Sequence, residues 1–200
     1  LVYLALTVIN AIAYWLAGMT AFQAICHGMT TIATGGYSTS DRSLGLFDNP
    51  AIEAIAIVFM ILGSLPFVLY LQAVRGGARR LWRDTQVRWF MGILLVSLLA
   101  LSGWLWLSSG MAVDNAVRYA AFNATSILTG TGYSSADFGS WGSFALPVFT
   151  VLMFIGGCTG GTTGGIKVFR FQVLYATARA QIHQLIQPHG VFPMKYNYRP

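Results

Sequence analysis

The chain has 200 residues, of which 56% are hydrophobic and only 9% charged, and it carries a formal net charge of +6. So few charges cannot clothe a soluble globule, which excludes an ordinary water-soluble domain and makes a bilayer the expected solvent. The positive balance does not point to nucleic acid, because the basic residues gather in two places along an otherwise apolar chain.

Crossing the hydrocarbon takes roughly 20 apolar residues at helical rise. The first such stretch, Leu1 to Ala17, has no initiator Met and no basic region before it. That disfavours a cleavable signal peptide, and the chain is expected to be a piece of a longer protein. Met19 to Ala33 is amphipathic and semi-polar, and it leads into Thr34-Gly35-Gly36-Tyr37-Ser38. A second span is predicted over Pro50 to Val74. It is followed by a connection crowded with Arg75, Arg79, Arg80, Arg83 and Arg88.

The third span is predicted from about Val87 to Ser108. Another amphipathic stretch, Val113 to Leu128, then runs into Thr129-Gly130-Thr131-Gly132-Tyr133-Ser134. The fourth begins near Trp141 and dissolves after Gly157 into a run with glycine at six of the ten positions 156–165. At about 1 kcal/mol per glycine against alanine, a regular helix is not expected there. Glycine on every face of that run also argues against simple close packing of helices, which needs small residues on one face only. The tail carries Lys167, Arg170, Arg179, Lys195 and Arg199, and is predicted to stay helical to Gln187 before Pro188 ends it.

By the positive-inside tendency the two basic regions are cytoplasmic. Asp41, Asp48, Glu53, Asp114 and Asp137 fall in the other connections with Arg42 and Arg118, and only Asp84 joins the basic side. The outer face is then net acidic, a feature that either concentrates an approaching cation or is ordinary loop charge.

The same plan occurs twice. Gly36-Tyr37-Ser38 and Gly132-Tyr133-Ser134 lie 96 positions apart, and that offset also pairs Thr30 with Ser126 and Thr31 with Ile127. Such a repeat is the mark of a duplicated membrane module. For the arginine-rich connection and the Lys167 tail to share one side, the stretch 113–132 must enter and leave by one face as a re-entrant hairpin. Non-helical backbone is tolerated at membrane depth only where it lines a cavity. Glycine and threonine there let carbonyls point inward, and a ring of carbonyls can replace the hydration shell of a potassium ion.

Thr34-Gly35-Gly36-Tyr37 and Gly130-Thr131-Gly132-Tyr133 resemble the filter segments of the Trk, Ktr and HKT superfamily of potassium transporters, in which four helix, pore-loop, helix units form one pore. The run Gly156-Gly157-Cys158-Thr159-Gly160-Gly161-Thr162-Thr163-Gly164-Gly165-Ile166-Lys167 is similar to the intramembrane loop beneath the filter in the third unit of that family. The resemblance implies an all-α integral membrane protein with re-entrant pore helices. Residues 1–74 would form the second unit, 75–86 a basic cytoplasmic loop, 87–167 the third unit and 168–200 the connection to a fourth.

It implies further that Thr34, Gly35, Gly36, Gly130, Thr131 and Gly132 supply two of four filter walls, with Ala33 and Thr129 as further candidates. The register of coordination is open by one residue, because threonine sits differently in the two loops. Gly156, Gly157, Thr159, Gly160, Gly161, Thr162, Thr163, Gly164, Gly165 and Lys167 would belong to the gate. The function implied is potassium uptake, with K+ as the transported ion and no organic cofactor, across a bacterial inner membrane. A homodimer and a cytoplasmic nucleotide-binding regulatory subunit are the implied partners, besides membrane lipid.

Other readings fit less well. A phosphate-binding loop needs Lys directly after Gly and Ser or Thr directly after Lys, whereas Ile166 and Val168 flank Lys167. The sequon at Asn123 lies within a predicted pore helix, where Asn123 is better placed to fix the filter by hydrogen bonding. His27 could tune the first filter or simply pack with a hydrogen bond. His183 and His189 lack metal-ligand spacing, and Cys26 and Cys158 read as small core residues. No catalytic set is assembled, so an enzyme is not expected. The main rival is a secondary transporter that binds a small solute at broken helices, but the polar features gather in the hairpins more than in the predicted spans.

Overall fold

The computed structural model describes residues 1–76 and 79–187. The expected stop at Pro188, together with His189, Lys195 and Arg199, lies outside the described residues, as do the side chains of Arg75, Arg79 and Arg80. The described chain is all-α, and its one β feature is an isolated parallel bridge between Ile155 and Ile166.

Nine helices follow in order among the described residues: α1 Val2–Leu16, α2 Ala21–Ile32, α3 Pro50–Ser64, α4 Phe67–Gly76, α5 Arg79–Arg83, α6 Thr85–Ser109, α7 Val113–Leu128, α8 Ala145–Phe154 and α9 Val168–Ile186. Their starts are written locally. Thr20 and Gln23 close a reciprocal capping box at α2. Asn49 caps α3 just before Pro50, and Asp84 accepts from the Gln86 and Val87 amides at α6. Gly110, with φ 59°, ends α6 in the left-handed conformation.

Four full-length spans are not what forms. Among the described residues α6 alone is long and apolar enough to cross a membrane, while α1 and α8 are shorter apolar helices. The span predicted over Pro50 to Val74 is broken, with α3 and the following helix bent by 93°. The cause is Pro66: it has no N–H to give, and it drives the preceding Leu65 into an extended conformation (ψ 155°). The fourth stretch is shortened at both ends. A 3₁₀ turn over Phe138–Ser140 precedes it, its helix α8 starts only at Ala145, and α8 ends at Phe154 with Ile155 as cap, just before Gly156 begins the Gly-rich run.

The amphipathic stretches form short helices. At 12 and 16 residues, α2 and α7 extend about 18 and 24 Å, short of a hydrocarbon core of about 30 Å. Two apolar cores hold the chain together. The larger joins α6, α7 and α8, and the smaller joins α1, α2 and α3 but also takes in Phe122 and Tyr133 from the second half. The two repeats therefore share a core where their loops meet. Cys26 and Cys158 are both free thiols.

Candidate functional site

Each half-helix ends in a loop built by the same hydrogen bonds at an offset of 96. Ala33 N donates to Met29 O (3.1 Å) and Thr129 N to Thr125 O (2.9 Å). Thr34 N donates to Thr31 O (3.2 Å) and Gly130 N to Ile127 O (3.0 Å). Gly35 N donates to Thr30 O (2.8 Å) and Thr131 N to Ser126 O (2.9 Å). The Thr30 hydroxyl lies 3.0 Å from Tyr37 O, and the Ser126 hydroxyl donates to Tyr133 O at 2.7 Å. Backbone register thus pairs Thr34 with Gly130, Gly35 with Thr131 and Gly36 with Gly132. The unequal threonine placement stays in the side chains.

The dihedral angles agree with that register. Thr34 (φ 50°) and Gly130 (φ 69°) are left-handed, and so are Gly36 (φ 68°) and Gly132 (φ 85°). The two loops touch: a Cβ added at Gly36 would stand 1.9 Å from the Thr131 carbonyl oxygen, so only glycine fits there. A Cβ at Gly132 would meet nothing within 4 Å, which leaves that backbone facing open space.

Beyond each loop, one polar side chain of the half-helix pins the outgoing strand. His27 Nδ1 donates to Gln23 O (2.8 Å), which leaves Nε2 of the neutral ring to accept from Ser38 Oγ (3.0 Å). At the repeat-equivalent position, Asn123 Nδ2 donates to Tyr119 O (2.9 Å) and to Ser135 Oγ (3.0 Å). Both residues are fully buried. Asn123 is thus inaccessible as a sequon and placed as a loop-fixing residue, and His27 makes a comparable contact one position earlier in its own loop.

The Gly-rich run lies directly inside these loops, with Gly164 N 3.8 Å from the position a Cβ would take on Gly130. It also seals the break between α3 and α4. Cys158 N donates to Ser64 O (3.0 Å), Thr162 N donates to Gly63 O (3.0 Å), and Gly160 O accepts from Phe67 N (3.1 Å). The Thr162 hydroxyl reaches Ile32 O at 2.7 Å, the last turn of α2. Gly161 lies so close that a Cβ there would be 2.6 Å from Ser64 O. The Gly63 and Ser64 carbonyls beside the break are therefore consumed by the run, and Leu62 O accepts from the Tyr70 hydroxyl (2.6 Å), as buried backbone requires.

The remaining residues of the run hold its own shape and its outer attachments. Gly156 N donates to Ile166 O (2.8 Å), and Gly157 N donates to the Thr163 hydroxyl (2.9 Å). Gly165 is left-handed (φ 70°), and Lys167 Nζ donates to the Thr163 carbonyl and to its hydroxyl. Thr159 N donates to Gln86 Oε1 (2.9 Å) on α6, and Gln172 of α9 donates to Thr85 O (2.9 Å).

The structure thus brings all eight residues expected at the loops, and all ten expected in the run, into one contiguous region. Sequence reasoning missed three parts of it. The break at Pro66 had a signal in Gly63-Ser64-Leu65-Pro66, hidden within an apolar run. Gln86 as an anchor of the run had none. Glu53, read as outer-loop charge, is instead 2% exposed in the first turn of α3, and Arg118 grips it with two hydrogen bonds of 2.7 and 2.9 Å.

Comparison with known proteins places this architecture. The family model described as "TrkH: Cation transport protein" matches residues 1–197. The chain is 42% identical over its full length to the Trk system potassium uptake protein TrkI of Halomonas elongata, of which it covers 40%. It is 38% identical over 97% of its length to the Trk system potassium uptake protein TrkH of Vibrio parahaemolyticus, of which it covers 41%. The crystal structure of the potassium transporter TrkH from Vibrio parahaemolyticus superposes with a TM-score of 0.92 at 36% identity, covering 97% of this chain and 42% of that one. The chain thus spans about two fifths of the relatives it matches. On the family match across nearly its whole length, the chain belongs to the TrkH family of cation transport proteins.

Proposed function

We propose that this chain forms two adjoining walls of a potassium-conducting pore, as the second and third of four helix, pore-loop, helix units in a bacterial inner-membrane uptake protein. Backbone carbonyls of Thr34, Gly35 and Gly36, and of Gly130, Thr131 and Gly132, replace water around the ion. Ala33 and Thr129 extend the walls. The run from Gly156 to Lys167 is the gate, closing the path on the cytoplasmic side of the filter. The observation that carries this reading is the pair of loops closed by matching hydrogen bonds at an offset of 96, with Gly36 packed against the Thr131 carbonyl. Two strands so alike and so close are what a ring of ion ligands requires.

A second reading, a solute transporter with its site at the broken helices, draws on the 93° break after α3. It is weakened because the carbonyls freed there already accept from Cys158 and Thr162, which leaves them no free role in binding a solute. The whole protein is proposed to act as a homodimer with a cytoplasmic nucleotide-binding regulatory subunit at the basic loop.

The test is rubidium uptake by the full-length protein in potassium-starved cells, with Gly36→Asp and Gly132→Asp compared at matched membrane abundance. Uptake should fall to background in both. Wild-type uptake in either variant would remove the loops from the ion path and make the solute transporter the leading reading.

A further inference from the structure

We propose that Tyr37 is a positioning residue that locks the first filter loop to a neighbouring unit outside this chain, its ring seated on that unit's pore helix. The inference rests on the four-unit reading above. The model for the contact is the second loop. Tyr133 is 1% exposed and belongs to the apolar core of the second unit, although it is a residue of the third. Its hydroxyl meets Thr30 Oγ1 at 2.5 Å and accepts from Thr31 Oγ1 at 3.3 Å, both on α2, and its ring lies against His27 at 6.1 Å between centroids. The filter tyrosine of one unit is thus a tenon in the pore helix of the next.

Tyr37 is its repeat counterpart by sequence and by backbone. The Tyr37 carbonyl is held by Thr30 as the Tyr133 carbonyl is held by Ser126, and the glycine before each tyrosine is left-handed. The two rings therefore leave equivalent backbones. Yet Tyr37 is 78% exposed while Tyr133 is buried. Tyr133 of the third unit reaches toward the second, so the same rotation carries Tyr37 of the second unit away from the third, to the flank that this chain leaves uncovered. A phenol needs both an apolar seat and a partner for its hydroxyl. A pore helix carrying a hydroxyl residue six positions before its last filter glycine, as Thr30 stands before Gly36 and Ser126 before Gly132, provides both.

The test uses full-length protein in membranes with benzoylphenylalanine placed at position 37, irradiated and mapped by mass spectrometry. The same probe at position 133 is the control, expected to label residues 30 and 31. At position 37 the adduct is expected on the pore helix of the adjoining unit, near the residue six positions before its last filter glycine. An adduct with lipid, with the regulatory subunit or with this chain's own helices, or no adduct while position 133 labels, would overturn the seat.

A functional arm accompanies it. Tyr37→Phe and Tyr133→Phe should each lower rubidium-over-sodium discrimination, by about threefold to tenfold for the loss of roughly one hydrogen bond, at unchanged membrane abundance. Discrimination that moves for Tyr133→Phe alone would also count against the seat. The adduct is independent of transport, so the two hypotheses fail separately. Labelling as expected, with uptake indifferent to Gly36→Asp, would sink the potassium reading and leave the seat standing.

Discussion

At Thr34 a β-branched residue occupies a left-handed conformation (φ 50°) that its counterpart Gly130 (φ 69°) adopts without a side chain. That conformation costs an L-residue about 1–2 kcal/mol, offset in part by the hydrogen bond from its hydroxyl to Ala33 O (2.7 Å). Exchanging the two residue types should therefore give unequal results. Thr34→Gly relieves the strain while adding a comparable cost in backbone freedom, so abundance and rubidium uptake should stay within about twofold of wild type. Gly130→Thr should lower uptake more than Thr34→Gly does, because it puts a β-branched residue at φ 69° and sends its branched atoms beyond a Cβ that is already in ordinary contact, 3.8 Å from Gly164 N. Equal uptake by both variants would disprove the asymmetry. The repeat behind this argument was legible because Gly36-Tyr37-Ser38 recurs unchanged and Thr30 matches Ser126 in chemistry. That Thr34 shares the left-handed conformation of Gly130 was not, since threonine gives no hint of a positive φ. Nor was the comparable task of His27 and Asn123, two unlike side chains that each bond the carbonyl four residues back and a serine hydroxyl beyond the loop.

Among the elements, the broken helix α3/α4 and the Gly-rich run are one construction, although about 90 residues separate them. Hydropathy saw a continuous span from Pro50 because Leu65, Pro66 and Phe67 are all apolar. It could not see that the Gly63 and Ser64 carbonyls beside the break would be met by amides of a loop much later in the chain. The run itself was legible as non-helical from its glycine density, but its anchors were not. Thr162 is the anchor that decides how firmly the run is held, since its hydroxyl reaches both Ile32 O (2.7 Å) and Gly63 O (3.1 Å). Thr162→Val keeps the shape and removes that donor. The Gly63 carbonyl keeps the Thr162 amide, whereas the Ile32 carbonyl loses its hydroxyl contact, at a cost of about 1–3 kcal/mol to the closed arrangement. If the run is the gate, basal rubidium uptake without the regulatory subunit should rise about fivefold or more. Uptake that instead falls in step with abundance would assign Thr162 to folding alone.

For the molecule as a whole, what joins the two repeats is a shared core at the loops and one ion cluster above it. Arg118 of α7 grips Glu53 of α3 through Nε (2.7 Å) and Nη2 (2.9 Å), and the same Nη2 reaches Asp48 (2.9 Å). Sequence placed all three among outer-face charges, and by count alone they looked like loop charge available to an approaching cation. The Glu53 side chain, however, is only 3% exposed, against 22% for Arg118 and 76% for Asp48. The Glu53 carboxylate is thus part of the fold, while Asp48 can fall back on water. Removing the guanidinium alone leaves a buried carboxylate unpaired, so Arg118→Ala should lower the stability of the purified full-length protein by about 3 kcal/mol. Arg118→Lys should recover little, because one ammonium cannot reproduce the paired hydrogen bonds. Replacing both partners with apolar side chains, Arg118→Met with Glu53→Met, removes the buried charge together with its counter-ion. That double variant should melt within a few degrees of wild type, since a buried pair is costly chiefly when half of it is missing. Thermal unfolding in detergent separates the cases. A double variant as unstable as Arg118→Ala would mean that the two repeats are held by these charges themselves, and no longer by the apolar core around Phe122 and Tyr133.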